Sequence, residues 1–302
     1  MNFAPKHTQA LLAVADQGSF EAAAATLNLT TSAISQRIKA LETEMGAVLV
    51  IRARPCRLTK EGHLLAQYLR RARLLADDFK ADYQQQQANL MSMTIAANND
   101  SLSTWLLPVL ADFMQQEPSL WHLRLYDQDR THKALEEGQV IAAITGRGQP
   151  MRGCSVAPLG ALRYRLLASP AFCAQWFPNG LHRIALKQAP LLVFDHLDKL
   201  QDQFLQQQFG LPQAACPCHY IPSAVAFYQA VKLSIGYGMI PELQYENALA
   251  NHELIDLMPG RYIDVPLYWH YWQVHSAKVA RLTQFLVSSA QTVLCPINHE
   301  AK

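Results

Sequence analysis

The hydrophobic pattern of the first sixty residues predicts three short helices that pack on one another. A first helix ends at Gly18, and Ser19 stands where the N-cap of a second helix is expected. A third helix is predicted over about residues 31–44, because its apolar positions recur every three or four residues. Those positions are Ala33, Ile34, Ile38 and Leu41. One face of the third helix is therefore buried, and the opposite face is free to contact a partner.

The third helix is followed by the pattern of a small wing and a long helix. A strand over residues 48–51 and a basic turn lead back to Leu58 in the core. Thr59 then caps a helix that carries Glu61 in its first turn, where the helix dipole favours a negative charge. An apolar stripe continues along this helix: Leu65, Tyr68, Ala72, Leu75, Phe79 and Tyr83. Because one small domain cannot cover so long a stripe, we expect it to pack against a second copy of the chain.

Beyond a glutamine tract at residues 84–87, the pattern changes to alternating strands and helices. Strands are predicted over residues 93–97, 123–126, 140–145, 190–194, 219–221, 237–240 and 265–272, and helices over residues 105–113, 131–138, 199–209, 224–233 and 276–292. Such alternation predicts a parallel sheet with helices on both faces. We expect two α/β lobes, with the chain crossing between them near residues 160 and 265.

The predicted organisation therefore has three parts. A winged helix-turn-helix (the head), α-helical with a small wing, spans residues 1–58, and a linker and dimerisation helix spans residues 59–89. A two-lobed α/β effector-binding domain spans residues 90–302. Its lobe 1 comprises about 90–161 and 267–302, and its lobe 2 about 162–266.

Positive charge is concentrated near the head rather than spread along the chain. The 302 residues carry a net charge of +2, but residues 34–73 hold nine Lys and Arg against three Asp and Glu. That local excess is typical of a protein that binds a polyanion. No apolar run reaches the about 18 residues of a membrane span, and no signal peptide is evident, so we expect a cytoplasmic protein without membrane contact. The six scattered cysteines are expected to be reduced thiols.

The exposed face of the third helix carries side chains suited to major-groove recognition. The major groove of B-DNA is about 12 Å wide and accepts one helix. The candidate contacts on this helix are Thr31, Ser32, Ser35, Gln36, Arg37 and Lys39. Ser32, Ser35 and Gln36 are expected to read base edges. On the wing, Arg52, Arg54 and Arg57 are expected to bind the phosphates of double-stranded DNA.

Several segments of the head resemble the N-terminal signature of LysR-type transcriptional regulators. They are residues 20–27 (FEAAAATL), 31–42 (TSAISQRIKALE) and 58–62 (LTKEG), together with Gly46 and Arg52. The resemblance implies a dimerising linker helix and a two-lobed effector domain of periplasmic-binding-protein type. It also implies a homodimer that assembles further into a dimer of dimers, with RNA polymerase as a further partner.

The second part of the chain resembles the lysine- and arginine-responsive ArgP/LysG branch of that family. The segments concerned are residues 99–108 (NDSLSTWLLP), 177–180 (FPNG), 194–198 (FDHLD), 254–260 (LIDLMPG) and 267–270 (LYWH). The resemblance implies a sequence-specific regulator whose activity is modulated by lysine or arginine. It further implies control of genes for the export or metabolism of basic amino acids.

The effector is expected between the lobes, where strands of each lobe end. The candidate effector-binding residues are Asn99, Asp100, Ser101, Asp127, Asp129 and Thr145 in lobe 1, and Asp195, His196 and Ser223 in lobe 2. A basic amino acid also needs an anionic partner for its side chain. The candidates for that role are Asp100, Asp127, Asp129, Asp195 and Asp198. Each aspartate has a plain structural alternative as a helix cap or a turn residue.

The chain has no sequence pattern of a catalytic or metal site. It contains no Walker loop, no Gly-x-Gly-x-x-Gly and no His-Glu-x-x-His. Cys216 and Cys218 are spaced poorly for zinc. We therefore expect no enzyme activity, no metal and no cofactor apart from the small effector. Two alternatives remain open: an architectural or replication-associated DNA-binding protein with weak sequence preference, and an enzyme fused to a DNA-binding head.

Overall fold

The computed structural model describes residues 3–83, 91–126, 128–151, 153–273 and 277–297. The head contains α1 (Pro5–Gln17), α2 (Phe20–Thr26), α3 (Thr31–Met45), β1 (Val50–Ile51) and β2 (Arg57–Leu58), and α4 (Lys60–Tyr83) follows it. Gly18 has a φ of 64° and ends α1, and the Ser19 hydroxyl accepts a hydrogen bond from the amide of Ala22 to cap α2. β1 and β2 pair antiparallel as the wing. The prediction of a winged helix-turn-helix is confirmed.

The core of the head is completed by the beginning of α4. Ile34, Ile38 and Leu41 of α3 are fully buried. Leu65 joins the same cluster and is only 5% exposed, because α1 and β2 pack against that side of α4. The prediction that Leu65 belongs to an intermolecular stripe is therefore wrong. Its burial instead stabilises the head by about 1.5–3 kcal/mol.

The second part of the chain is an α/β domain. Its helices are α5 (Asn99–Ser101), α6 (Leu107–Gln116), α7 (Gln128–Glu136), α8 (Pro170–Trp176), α9 (Arg183–Gln188), α10 (Leu200–Phe209), α11 (Ala224–Lys232), α12 (Glu242–Ala250) and α13 (Ala277–Val293). Its strands are β3 (Met91–Ala97), β4 (Ser119–Leu125), β5 (Ala142–Thr145), β6 (Cys154–Ala168), β7 (Leu191–Val193), β8 (Cys218–Tyr220), β9 (Gly238–Pro241), β10 (Ile255–Asp256) and β11 (Ile263–Trp272). The predicted two-lobed α/β class is confirmed, although β6, β10, α8, α9 and α12 were not predicted.

The sheet is mixed rather than parallel. β3 is parallel to β4 and to β5, and β7 is parallel to β8, whereas β5 is antiparallel to its other neighbour, β11. β6 and β11 are antiparallel to each other, and the strand order is β10–β6–β11–β5–β3–β4 with β9 also paired to β6. The prediction of an entirely parallel sheet is therefore wrong. The antiparallel pairs arise because β11 returns from lobe 2 to lobe 1 between β5 and β6 and runs in the opposite direction to both strands.

The strands β6 and β11 cross from one lobe to the other. Their pairing shifts between Leu267 and Tyr268, opposite Gly160, which has a φ of 137°. A Cβ atom at position 160 would lie 2.5 Å from the Cβ of Leu294, so only glycine fits there. Such irregularities bend a pair of strands. The bend lies close to the predicted crossing points, and the finer lobe boundaries remain a prediction.

The helix that follows β3 contains an irregular turn. α5 leads through a π-helical turn at Leu102–Leu106 into α6. Pro108 cannot donate a backbone hydrogen bond, and its ring would clash with the carbonyl group four residues earlier. The wider turn accommodates the proline and positions the segment that carries Asp100 and Ser101. In the part of the chain that the structure describes, no helix is long and apolar enough to cross a membrane.

Candidate DNA-reading helix and effector cleft

The face of α3 that was predicted to read DNA is open to solvent. Thr30 accepts a hydrogen bond from the amide of Ala33 and caps the helix. On the open face, Thr31, Ser32, Gln36 and Lys39 are exposed, whereas Ser35 and Arg37 are half-buried. The buried Ile34, Ile38 and Leu41 hold the opposite face against the core. The geometry therefore leaves the predicted base-reading side chains accessible to a groove.

The wing is held in a fixed relation to α3. One carboxylate oxygen of Glu42 accepts hydrogen bonds from the amides of Leu49 and Val50 at 2.9 and 3.3 Å. The amide of Cys56 donates to the carbonyl of Gly18 at 2.8 Å, which ties the wing to the turn between α1 and α2. A Cβ at Gly62 would lie 2.1 Å from the Leu49 carbonyl oxygen, so α4 approaches the wing closely. These contacts make α3 and the wing one rigid element.

The three predicted phosphate-binding arginines of the wing are exposed. Arg52 lies over the ring of Phe20, with its guanidinium carbon 5.2 Å from the ring centroid. The pKa of Glu21 at the beginning of α2 is lowered chiefly by the hydrogen bond from the Ser19 hydroxyl, then by the backbone amide of Glu21, and least by the charge of Arg54. Arg52 and Arg54 thus lie next to α2, whereas Arg57 lines a cavity that also includes Lys133 and Gln139.

Not all of the basic residues counted at positions 34–73 face a DNA surface. Arg70 binds Asp16 and the backbone carbonyl of Glu137. Arg71 stacks on the ring of Trp272. The charge excess that is available to DNA is therefore smaller than the sequence count indicated, and it resides chiefly in α3 and the wing.

The predicted dimerisation stripe of α4 is only partly exposed. Leu64 and Tyr68 are 59% and 54% exposed, and Ala72 is exposed as well. Leu64, which was not part of the predicted stripe, thus replaces the buried Leu65 on the open face. The side chains of Leu75, Phe79 and Tyr83 lie outside the described residues. An exposed apolar face therefore exists on α4 where the sequence predicted one, with Leu64 in the place of Leu65.

Two polar side chains from distant segments meet at the predicted cleft. The Tyr164 hydroxyl of β6 donates a hydrogen bond of 2.5 Å to Oδ2 of Asp100, which lies at the beginning of α5 in lobe 1. The charge of Asp198 in lobe 2 is the smallest contribution to the raised pKa values of both residues. Asp198 itself accepts hydrogen bonds from the amides of Phe194 and Leu200. The cluster of Asp100, Tyr164 and Asp198 (the acidic cluster) joins both lobes and the crossing strand.

Asp100 and Tyr164 are desolvated within the acidic cluster. Burial raises the pKa of Asp100, the hydrogen bond from Tyr164 opposes that shift, and the charge of Asp198 adds to it. Burial and the two carboxylates raise the pKa of Tyr164 well above its ordinary value, so this hydroxyl stays protonated and donates. Two carboxylates in such surroundings destabilise each other unless a cation lies near them.

The other predicted effector contacts have mostly local roles. The Thr145 hydroxyl accepts a hydrogen bond from the amide of Arg147, Ser223 caps α11, and Asp195 accepts the amides of Leu197 and Asp198 in a turn. His196 is exposed and stacks on Tyr220 at 4.2 Å between ring centroids. Asn99 is half-buried near the acidic cluster. Asp127 and the side chain of Asp129 lie outside the described residues.

Each lobe has one further feature next to the acidic cluster. In lobe 1, Ser101 is fully buried, and its hydroxyl has no hydrogen-bond partner among the described residues. In lobe 2, a cavity of about 440 Å³ is lined by residues of that lobe alone, among them Asp198, His196 and Tyr220. That volume falls in the range of pockets that hold small molecules.

Sequence reasoning missed Tyr164 and His270. Tyr164 lies on β6, a strand that the pattern did not reveal, and nothing in its sequence neighbourhood indicates a contact with Asp100. His270 of β11 makes a hydrogen bond of 2.7 Å to the carbonyl of Arg147, and burial lowers its pKa. It thereby fixes the loop after β5. Within the described residues, no three His, Cys, Asp or Glu side chains are grouped as a metal site would require.

Comparison with known families covers nearly the whole chain. Residues 5–63 match the family described as bacterial regulatory helix-turn-helix protein, lysR family. Residues 87–291 match the LysR substrate binding domain.

Individual relatives agree with this assignment. The HTH-type transcriptional regulator ArgP of Pectobacterium atrosepticum is 41% identical over 286 residues, which cover 95% of this chain and 96% of the relative. Among solved structures, ArgP from Mycobacterium tuberculosis has a TM-score of 0.84 and 34% identity, covering 98% of this chain and 100% of that one. Full-length LysG from Corynebacterium glutamicum with bound effector Arg has a TM-score of 0.77 and 35% identity, covering 97% and 100%. The chain belongs to the LysR family of helix-turn-helix proteins, and it is a DNA-binding transcriptional regulator rather than an enzyme.

Proposed function

We propose that this regulator responds to lysine or arginine, which binds between the lobes with its cationic end at the acidic cluster. The observation that carries the proposal is the hydrogen bond between Asp100 and the buried Tyr164, with the charge of Asp198 acting on both from lobe 2. A side-chain ammonium or guanidinium group offsets the repulsion between the two carboxylates and forms charge-assisted hydrogen bonds with them. LysG of Corynebacterium glutamicum, a structural neighbour, has arginine as its bound effector, which supports the same ligand class here.

The rest of the amino acid has suitable partners in the cleft. The buried Ser101 hydroxyl is a donor for the α-carboxylate, because a buried hydroxyl without a partner costs about 1–3 kcal/mol that a bound ligand would relieve. The cavity beside Asp198 provides the space. Tyr164 holds the Asp100 carboxylate in one orientation.

The ligand acts by favouring one arrangement of the lobes. Asp100 and Asp198 belong to different lobes, so a cation between them binds a closed arrangement more tightly than an open one. The change in lobe arrangement alters the placement of the heads on DNA and hence transcription by RNA polymerase. The regulated genes are those for basic amino-acid export or metabolism, and the protein acts in the cytoplasm, where chromosomal DNA is found.

The protein acts as a homodimer joined through α4, and dimers pair into tetramers. Leu64 and Tyr68 form an exposed apolar face one helical turn apart. We expect Leu64→Glu to weaken the dimer, because a charge would be buried at the interface. Leu197→Glu is the matched control, since Leu197 is 68% exposed on lobe 2 away from α4. Sedimentation that shows the same oligomer for both variants contradicts the role of this face.

The direct test is DNA binding with and without the amino acids. Purified protein is titrated onto the promoter region beside its own gene in the presence of lysine, arginine, norleucine or citrulline. Norleucine and citrulline have similar shape but no cationic side chain. We expect lysine or arginine to change affinity or footprint and the neutral analogues to have no effect. The proposal fails if none of the four has an effect. Genome-wide occupancy without promoter preference would instead favour an architectural role.

A further inference from the structure

The helix α4 has three different faces. One packs into the head through Leu65 and Ala66, and a second carries the exposed Leu64 and Tyr68. A third face contacts lobe 1 of the same chain, and its residues are His63, Gln67, Arg70 and Arg71. At about 100° per residue, each face covers roughly a third of the helix circumference. We propose that this third face is a clasp that fastens the head to lobe 1 and transmits movement of lobe 1 to the DNA-binding helix.

The polar part of the clasp centres on Arg70. One nitrogen of its guanidinium group donates to the carbonyl of Glu137 in lobe 1 at 2.7 Å, and the other binds the carboxylate of Asp16 in α1. A single side chain therefore joins the head, α4 and lobe 1. One turn away, the Gln67 side-chain amide donates to the carbonyl of Glu136. His63 lies 3.6 Å from the Glu137 carboxylate.

The aromatic part of the clasp is the contact between Arg71 and Trp272. Its guanidinium carbon lies 3.5 Å from the ring centroid of Trp272, the last residue of β11, and burial lowers its pKa. Trp272 in turn donates to the carbonyl of Val140 at 3.4 Å. A cation held over an aromatic face in this way is attracted by the ring. The Arg71 contact thus fixes α4 against the edge of β11 and the segment before β5.

The backbones approach closely at one point. Gly138 has a φ of 67°, and a Cβ atom there would lie 3.2 Å from the Cα of Gln67. The turn between α7 and β5 therefore lies directly on α4, where a side chain at position 138 would be crowded and strained. Such proximity permits a cross-link between the two segments.

The clasp and the effector cleft lie at opposite ends of β5. The turn at Gly138 precedes this strand, and Thr145 ends it beside the cleft. Seven residues of roughly 3.3 Å each separate the two points, so one short segment bridges them. Movement of lobe 1 at the cleft is therefore carried directly to α4 and the head.

The clasp borders a cavity between the head and lobe 1. The cavity has a volume of about 570 Å³ and is lined by head residues such as Val14 and Leu58 and by Lys133 and Gln139 of lobe 1. The contact is thus a few specific interactions around a gap rather than a continuous core.

The first test compares Arg70→Ala/Arg71→Ala with the control Arg261→Ala, which removes an exposed arginine from lobe 2. This arm rests on the proposed function, since it uses lysine or arginine as the effector. We expect both proteins to bind DNA within about threefold of the wild type when no amino acid is present. The effector-induced change in DNA affinity is expected to fall at least about fivefold in the double variant only, because coupling energies are typically 1–3 kcal/mol. An unchanged effector response in the double variant overturns the proposal.

The second test needs no effector and so separates the clasp from the proposed function. His63→Cys/Glu137→Cys, at two positions whose side chains lie 3.6 Å apart in the wild type, is treated with a short bis-maleimide cross-linker. Peptides are mapped by mass spectrometry, with each single-cysteine variant as a control for the native thiols. We expect a cross-link between positions 63 and 137 within one chain. A folded, DNA-binding double-cysteine protein that lacks this link, or forms it only between chains, overturns the clasp. If the wild type ignores lysine and arginine while the link forms, only the proposed ligand is wrong.

Discussion

The DNA-reading helix and the effector cleft are built in opposite ways. On α3, the candidate contacts lie within nine consecutive residues and face solvent, while the core holds the other side of the helix. In the acidic cluster, Tyr164 and Asp100 are 64 residues apart in sequence and Asp198 belongs to another lobe. The first site depends on local periodicity, whereas the second depends on how distant segments meet.

That difference predicts how each site responds to substitution. A side chain on an exposed helix face can change without disturbing its neighbours, so its loss should affect only the contact it makes. A carboxylate in a buried cluster acts through its partners and its protonation, so a change of one atom should have a large effect.

The largest expected effect is that of Asp100→Asn on effector binding. The substitution keeps the size of the side chain but removes the charge that faces the cation. A hydrogen bond to a charged group contributes about 1.5–3 kcal/mol, so arginine or lysine should bind about 10- to 100-fold more weakly. Calorimetric titration measures this, and Asp112→Asn on the exposed surface of α6 is the control. Equal affinity for Asp100→Asn and the wild type removes Asp100 from the site.

A smaller effect is expected for Gln36→Ala on the DNA side. Without the Gln36 side chain, the preference for one base over the others at one position of each half-site should decrease by about 1–3 kcal/mol, because Gln36 is placed to bind a base edge. Binding to a library of single-base variants of the operator measures that preference. If specific and random DNA lose affinity equally, Gln36 does not read a base.

Arg54→Ala should have a smaller and different effect. An exposed arginine on the wing binds phosphate irrespective of sequence, so all DNA sequences should lose affinity to a similar degree. The slope of log affinity against log salt should decrease by about 1. Titrations at several salt concentrations measure the slope. A loss confined to one sequence would assign Arg54 to base recognition.

The smallest expected effect is a pH dependence confined to the cleft. Because the pKa of Asp100 is raised above its ordinary value of 3.8, its charge is lost at a higher pH than that of an exposed aspartate. Lowering the pH through this range should weaken effector binding, and raising it should slightly destabilise the ligand-free protein. Melting temperatures with and without arginine from pH 5 to 8 report effector binding and the stability of the ligand-free protein. In Asp100→Asn, the increase in melting temperature caused by arginine should vary less with pH. A pH profile identical to that of the wild type contradicts the role of Asp100.

The same contrast explains how far the sequence predicts the fold. Helices α1 to α4 follow from apolar spacing and from caps such as Ser19 and Gly18, all of them local signals. The strand β6 was missed because it crosses the domain and changes its neighbours along its length. Leu65 was misassigned because periodicity shows that a face is apolar but does not show what covers it.

The candidate sites divide along the same line. Exposure of Thr31, Ser32 and Gln36 follows from the position of Ile34 and Ile38 on the same helix. The pairing of Asp100 with Tyr164 does not follow from any sequence pattern, since it depends on how β6 passes α5. Asp195 and Ser223 lie at strand ends as expected, but their side chains form a turn and a cap. Sequence position therefore indicates the cleft and does not decide which residues line it.

The preference of the acidic cluster for a cationic ligand is the central property of this cleft. Calorimetric titration of the effector-free protein with arginine and with citrulline compares two ligands of similar shape that differ in charge. We predict that arginine binds and that citrulline binds at least about tenfold more weakly, with the difference abolished in Asp100→Asn. Equal binding of arginine and citrulline, or binding of neither, would contradict the assignment of this cleft.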